Sequence, residues 1–238
     1  ICLEWQRSGS LWSAFDELPV LAGQASFELS PGKPRGFFFT RRCFFLHIYA
    51  SYCIFMQMTK ASIIGASGYS GLELLKILSR HPHVPLEKLF ANTSAGKQVD
   101  EVFPVLKTRV SAAFERYSAE AACTSDVVFI ALPSGEAMNI VPELLNRGKK
   151  VIDLGGDFRL RDASQYEQFY KHPHQAATLL SKSVYGLPEW NREQIRTATL
   201  VANPGCYPTS AILPLALLLK EGIVESKGIT ISSLSGVS

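Results

Sequence analysis

Cysteine is scarce and unpatterned in this chain. Five occur in 238 residues, at positions 2, 43, 53, 123 and 206, with no Cys-x-x-Cys pair. No disulfide framework is expected, and free thiols of a reducing, cytoplasmic compartment are the preferred reading. An excess of charge of one sign is lacking too. The net charge is +3 and scattered along the chain, which excludes a strongly basic nucleic-acid surface. Charged residues at 19% and aromatics at 11% place the chain among globular proteins, not disordered ones. No membrane span is expected, because an apolar run of about 20 residues is needed. The apolar stretch after Arg42 is shorter than that, and Arg41-Arg42 interrupts any longer count. A signal peptide is not expected there, so far from Ile1 and with no small-residue cleavage site following. Glu4, Asp16, Glu17 and Glu28 argue against an organellar transit peptide. Methionine is absent before Met56 and Met58.

Residues 1–57 match neither the period nor the composition of residues 58–238. We expect translation to begin at Met56 or Met58, with the preceding stretch an extension outside the working protein. From Ala61 the pattern is regular. Strands are expected over 61–65, 86–91, 127–132, 150–154 and 200–202, and a strand-like stretch over 228–235. Helices are expected over 70–80, 136–147 and 210–221. Strands alternating with helices imply an α/β fold with a doubly wound, mostly parallel sheet.

Four places carry chemistry. Gly65-Ala-Ser-Gly-Tyr-Ser-Gly71 follows the first strand and opens the first helix. Glycines there let the backbone approach a pyrophosphate, which then rests on the helix N-terminus. Gly65, Ser67, Gly68, Tyr69, Ser70 and Gly71 are the candidate contacts. After the second strand, an NAD site would offer a carboxylate to the ribose. The chain instead has Ala91-Asn-Thr-Ser-Ala-Gly-Lys97, so Ser94 and Lys97 are expected to receive the 2′-phosphate of NADP. Pro133 and Ser134 lie at the end of a central strand, where ligands sit in such folds. They are candidates for the nicotinamide pocket, although Ser134 reads equally well as a plain helix cap. The fourth place is Leu200-Val-Ala-Asn-Pro-Gly-Cys-Tyr-Pro-Thr-Ser210. It sets Cys206 at a strand-to-helix junction, facing unpaired N–H groups and the positive end of a helix, both of which favour thiolate. A free thiol of pKa about 8.5 is only a few per cent ionised at neutral pH, so that placement suits a nucleophile.

The remaining polar clusters read as structural. His81-Pro-His83 and His172-Pro-His174 have no accompanying metal ligands, so solvated histidines and no metal are expected. Asp153, Asp157, Arg159 and Arg161 fall in one loop after a strand; salt bridges are the favoured reading, anionic-substrate binding the alternative.

Taken in order, the glycine loop, Asp153-Leu-Gly-Gly-Asp-Phe-Arg-Leu160, Tyr185-Gly-Leu-Pro-Glu189 and Asn203-Pro-Gly-Cys-Tyr-Pro-Thr209 resemble the N-acetyl-gamma-glutamyl-phosphate reductase family of arginine biosynthesis, from about Met58 to Ser238. Pro-Gly-Cys-Tyr-Pro-Thr is the most specific of these. The resemblance implies an NADP-binding Rossmann domain over 58–205 and the start of an α+β, dimerisation-type substrate domain over 206–238. It implies NADPH-dependent reduction of an acyl phosphate to the semialdehyde through a thioester on Cys206, with Asn203 and Arg159 toward the substrate. A small-molecule substrate and a homo-oligomer follow from the same likeness, with no role for nucleic acid or membrane. The family's later histidine has no counterpart after His174, and Ser235-Gly-Val-Ser238 resembles the start of a family loop, so a truncated C-terminus is expected. Related acyl-phosphate reductases acting on aminoadipate phosphate or aspartyl phosphate are the alternatives, as is a non-catalytic NADP-binding protein.

Overall fold

A computed structural model describes residues 58–234; the extension before Met58 and the terminal 235–238 segment lie outside the described residues. Strand β1 (Ala61–Ile64) leads through a glycine turn into α1 (Tyr69–Leu78) and returns as β2 (Leu86–Phe90). Two short helices, α2 (Val99–Val102) and α3 (Ala119–Ala122), precede β3 (Val127–Ile130), α4 (Ala137–Asn146) and β4 (Lys150–Asp153). Then come α5 (Ala163–Tyr170), β5 (Val184–Tyr185), α6 (Pro188–Thr197), β6 (Leu200–Ala202) and α7 (Cys206–Lys220).

The six strands form one parallel sheet in the order β2-β1-β3-β4-β6-β5. The chain first winds outward from β1 to β2, then crosses back to β3 on the other side of β1. The expected doubly wound sheet is present, with its switch point between β1 and β3. Strands in such a sheet are covered on both faces, and alternate side chains serve opposite layers. β1 shows this directly: all four of its residues are buried. Ile63 packs with Leu75, Leu89, Val99 and Phe114. Ile64 belongs to the other layer, with Val128, Val141, Leu144, Phe158 and Tyr166.

Two expectations change. Helix α7 begins at Cys206, four residues before the predicted start. Pro208 occupies its third position, where the missing N–H would have had no intrahelical acceptor anyway, so proline does not delay the helix. The strand expected over 228–235 does not form across its described part. Residues 228–234 pair with no strand among the described residues, and Ile229 and Ile231 remain exposed. An apolar alternation without a neighbouring ladder has nothing to satisfy its backbone groups.

Candidate active site

All strands being parallel, their carboxyl ends share one edge, and the segments singled out from the sequence sit along it. β1 runs into Gly65, β3 into Ala131, β4 into Leu154 and β6 into Asn203. Neighbouring strands lie about 4.8 Å apart, so three spacings, roughly 14 Å, separate the glycine loop from Asn203.

At β1 the geometry demands glycine. Gly65 turns at φ +82°, and a Cβ there would drive into the Ala131 carbonyl at the end of β3. A Cβ on Gly71 would stand 2.5 Å from the carbonyl oxygens of Gly65 and Ala66. Gly68 is the N-cap of α1, with no side-chain cap and no acid in the first turn. The first N–H groups of α1 therefore lack internal acceptors and sit at the positive end of the helix dipole. Half-buried Ser67 and exposed Tyr69 and Ser70 flank them. This backbone cradle, whose tight turn leaves no room for a Cβ at either glycine, fits the pyrophosphate of NADP(H).

At β2 the chain turns through Ser94–Lys97, with Gly96 at φ +88°. Gly96 N donates to Phe114 O at 2.8 Å and Phe114 N to Lys97 O at 2.9 Å, which pins the turn while leaving the Lys97 side chain exposed. One acid does reach this strand from farther along the chain. Glu115 accepts Ala91 N on its carbonyl at 2.9 Å, but its carboxylate is drawn to Lys88 Nζ at 2.7 Å.

Between β3 and β6, residues 153–159 build a buried polar network. Asp153 ends β4 fully buried; its Oδ1 accepts from Gly155 N at 2.8 Å and its carbonyl from Asn203 N at 2.7 Å. Burial pushes the Asp153 carboxyl up to about 7, against the pull of the Gly155 N–H. Asp157 is fully buried as well. Its Oδ1 accepts from Gly135 N at 2.7 Å and from the Tyr166 hydroxyl at 2.9 Å, and its Oδ2 from Met138 N at 3.3 Å. The carboxylate thereby fills the N-terminal end of α4. Ser134 is not the cap: it stays exposed, and no side chain at the Glu136 N-cap position closes the helix. Pro133 beside it is exposed as well.

Arg159 is half-buried and donates Nε to Asn203 O and Nη2 to Leu154 O, each at 2.8 Å. Its Nη1 lies beside Gly205, where a Cβ would come within 3.1 Å of it. Among the described residues no ion pair joins Asp153, Asp157, Arg159 or Arg161, so the favoured salt-bridge reading of this loop is overturned. The two aspartates and Arg159 bind backbone groups instead. Asn203 turns its amide to the Pro204 carbonyl at 3.1 Å. Cys206 then stands as the first residue of α7, a free and exposed thiol behind an N-cap glycine without a side-chain cap.

The histidine expectation is also partly overturned. His81 and His83 are exposed, but His174 is buried, with Nε2 2.8 Å from the Asp157 carbonyl and Nδ1 accepting from Ala176 N at 3.1 Å. Burial holds its pKa below the usual imidazole value. Tyr166, missed from sequence, joins the same network; burial and its bond to Asp157 hold its hydroxyl protonated. No local spacing links Tyr166, His174 and Gly135, since the fold alone brings them to Asp157. Among the described residues no group of His, Cys, Asp and Glu is placed to hold a metal, and no helix is long and apolar enough to cross a membrane.

Comparison with known proteins agrees with this layout. Residues 60–198 match the family described as semialdehyde dehydrogenase, NAD binding domain. The chain is 53% identical over 180 residues to N-acetyl-gamma-glutamyl-phosphate reductase of Pelotomaculum thermopropionicum, covering 75% of this chain and 52% of that protein. It is 48% identical over 182 residues to the protein of the same name in Desulforudis audaxviator, covering 76% and 53%. The chain thus spans about half the length of the curated relatives it matches. Among solved structures, aspartate semialdehyde dehydrogenase II of Vibrio cholerae, complexed with ASA, matches at TM-score 0.50 and 19% identity over 69% of this chain and 47% of that one, a likeness of fold.

Proposed function

Because the chain belongs to the semialdehyde dehydrogenase family through its NAD-binding domain, we propose that it is the cofactor- and nucleophile-bearing part of an N-acetyl-gamma-glutamyl-phosphate reductase. The reaction is the NADPH-dependent reduction of N-acetyl-gamma-glutamyl phosphate to the 5-semialdehyde, with release of phosphate, in arginine biosynthesis. The observation that carries this reading is the placement of Cys206: an exposed thiol heading a 15-residue helix, on the same sheet edge as the glycine cradle. The likeness to reductases of that name over three quarters of the chain supports N-acetylglutamyl as the acyl group.

In this mechanism the Cys206 thiolate attacks the acyl carbon. A C–S bond forms as the bond from that carbon to the phosphate oxygen breaks, and phosphate leaves. NADPH, when bound, supplies the hydride that reduces the thioester to aldehyde and frees the thiolate. The first N–H groups of α7 face the acyl oxygen and stabilise its negative charge in both steps. Arg159, beside Gly205, offers a charge-assisted donor to the phosphate or the oxyanion. Ser67 and the backbone of residues 68–71 hold the pyrophosphate, Ser94 and Lys97 the 2′-phosphate, and Pro133 and Ser134 flank the nicotinamide.

Residues 58–205 make up the dinucleotide domain in this reading, and 206–238 open the substrate domain. Helix α7 suits that division, since none of its residues is buried and Leu217 is 56% exposed. The enzyme works in the cytoplasm on a small molecule, as a homo-oligomer. In the protein carried to the full length of its relatives, Cys206→Ala should lower turnover by on the order of 10⁴-fold or more. NADPH affinity, read by titration of nicotinamide fluorescence, should stay within about twofold, as expected of a residue acting only in the chemical step. Turnover within tenfold of the unsubstituted enzyme would rule the thioester route out.

A further inference from the structure

We propose that Asp157 is a positioning residue that sets the separation between the nicotinamide-side turn at Ser134-Gly135 and the turn that carries Cys206. The inference rests on the proposed function and names how its two halves are held in register. A single buried segment touches both. Within it, the Asp157 carboxylate accepts the Gly135 and Met138 N–H groups, which fixes the start of α4. At its two ends, Asp153 O accepts Asn203 N and Arg159 Nε donates to Asn203 O, so the residue opening the Asn-Pro-Gly-Cys turn is gripped on both its backbone groups. Asp157 is itself immobilised, by the Tyr166 hydroxyl on its side chain and His174 Nε2 on its carbonyl.

The chemistry explains why such a link matters. Hydride transfer needs donor and acceptor about 3–3.5 Å apart, and misplacement by 1 Å costs on the order of 100-fold. The strand ends at β3 and β6 are separated by β4, and the loop leaving β4 is the segment that contacts both. A carboxylate suits three converging donors, because it carries only acceptors. An asparagine of the same shape would turn an NH₂ toward one of them.

The test uses the 238-residue chain itself, with iodoacetamide as probe and the peptide containing Cys206 followed by mass spectrometry. A nicotinamide held in hydride range must cover the thiol. At NADPH roughly ten times its Kd, alkylation of Cys206 should slow by about 11-fold, the factor 1 + [L]/Kd for an occluded site. In Asp157→Asn, with NADPH again at ten times that variant's own Kd, the protection should fall to less than about threefold of the 11-fold available. Tyr166→Phe removes one donor and keeps the carboxylate on both N–H groups; it should give an intermediate loss. It keeps the inference testable if Asp157→Asn does not fold. Full protection in the folded variants would overturn the positioning role and leave the proposed function standing. No protection in the unsubstituted chain would overturn the proposed function, and the positioning role with it.

Discussion

Asp153 and Asp157 are four residues apart, both wholly out of solvent, and solvated by the protein in different ways. Asp157 has three donors on its carboxylate, whereas Asp153 has the Gly155 N–H alone. That difference gives Asp153 a pH signature. Its folded pKa of about 7 lies above the value of about 3.9 for an unfolded aspartate. Below the lower value both states are protonated and the burial costs nothing. As pH rises from about 4 through about 7, the unfolded chain gives up this proton while the folded protein retains it, so the group's contribution to stability is lost over that window. Asp153→Asn cannot titrate. Urea unfolding of both proteins between pH 4 and 8 should therefore show the variant gaining on the parent as pH rises, with the difference level above about pH 7.5. A difference independent of pH would mean that Asp153 does not titrate in this range.

Among the elements, the turn after β2 bears on cofactor choice. Asn92 is exposed there, in a stretch with no acid before Lys97, and the Glu115 carboxylate is occupied by Lys88. Asn92→Asp should lower the preference for NADPH over NADH by about 1.4- to fivefold, the 0.2–1 kcal/mol of an exposed charge pair. The effect should shrink at high salt, where screening shortens to a few ångströms. Binding of the two cofactors by the unsubstituted chain with equal affinity would remove the basis of the NADP assignment. The elements flanking this edge were legible for a physical reason. Strands β1, β3, β4 and β6 are mostly apolar runs followed within three residues by glycine, proline or asparagine, and the parallel sheet puts all those breaks on one side. Two-residue β5 and the polar helices α5 and α6 left no such contrast. The start of α7 lies four residues before the expected one, since proline in a first turn costs no hydrogen bond. The Asp157 network was illegible, since its partners at Gly135, Met138, Tyr166 and His174 come from three separate segments that meet only after the sheet is wound.

At the scale of the whole molecule, both hydrophobic layers close within the described residues, and β1 is tied down at its start by Ala61 N to Pro85 O at 2.9 Å. A chain beginning at Met58 should melt within about 2 °C of the 238-residue chain, a change under 1 kcal/mol for this size, and bind NADPH equally. A larger drop in calorimetric midpoint would show that the extension contributes to the fold. The two rims of the sheet have a further consequence. At the carboxyl end of five-residue β2, Glu115 bridges Phe90 and donates its N–H to Leu89 O at 2.8 Å, which occupies part of that outer rim. The opposite rim is β5, only two residues long. Among the described residues neither margin offers a long row of idle donors and acceptors onto which another chain could be stitched. Fibre-like stacking of copies through the described sheet is thereby disfavoured.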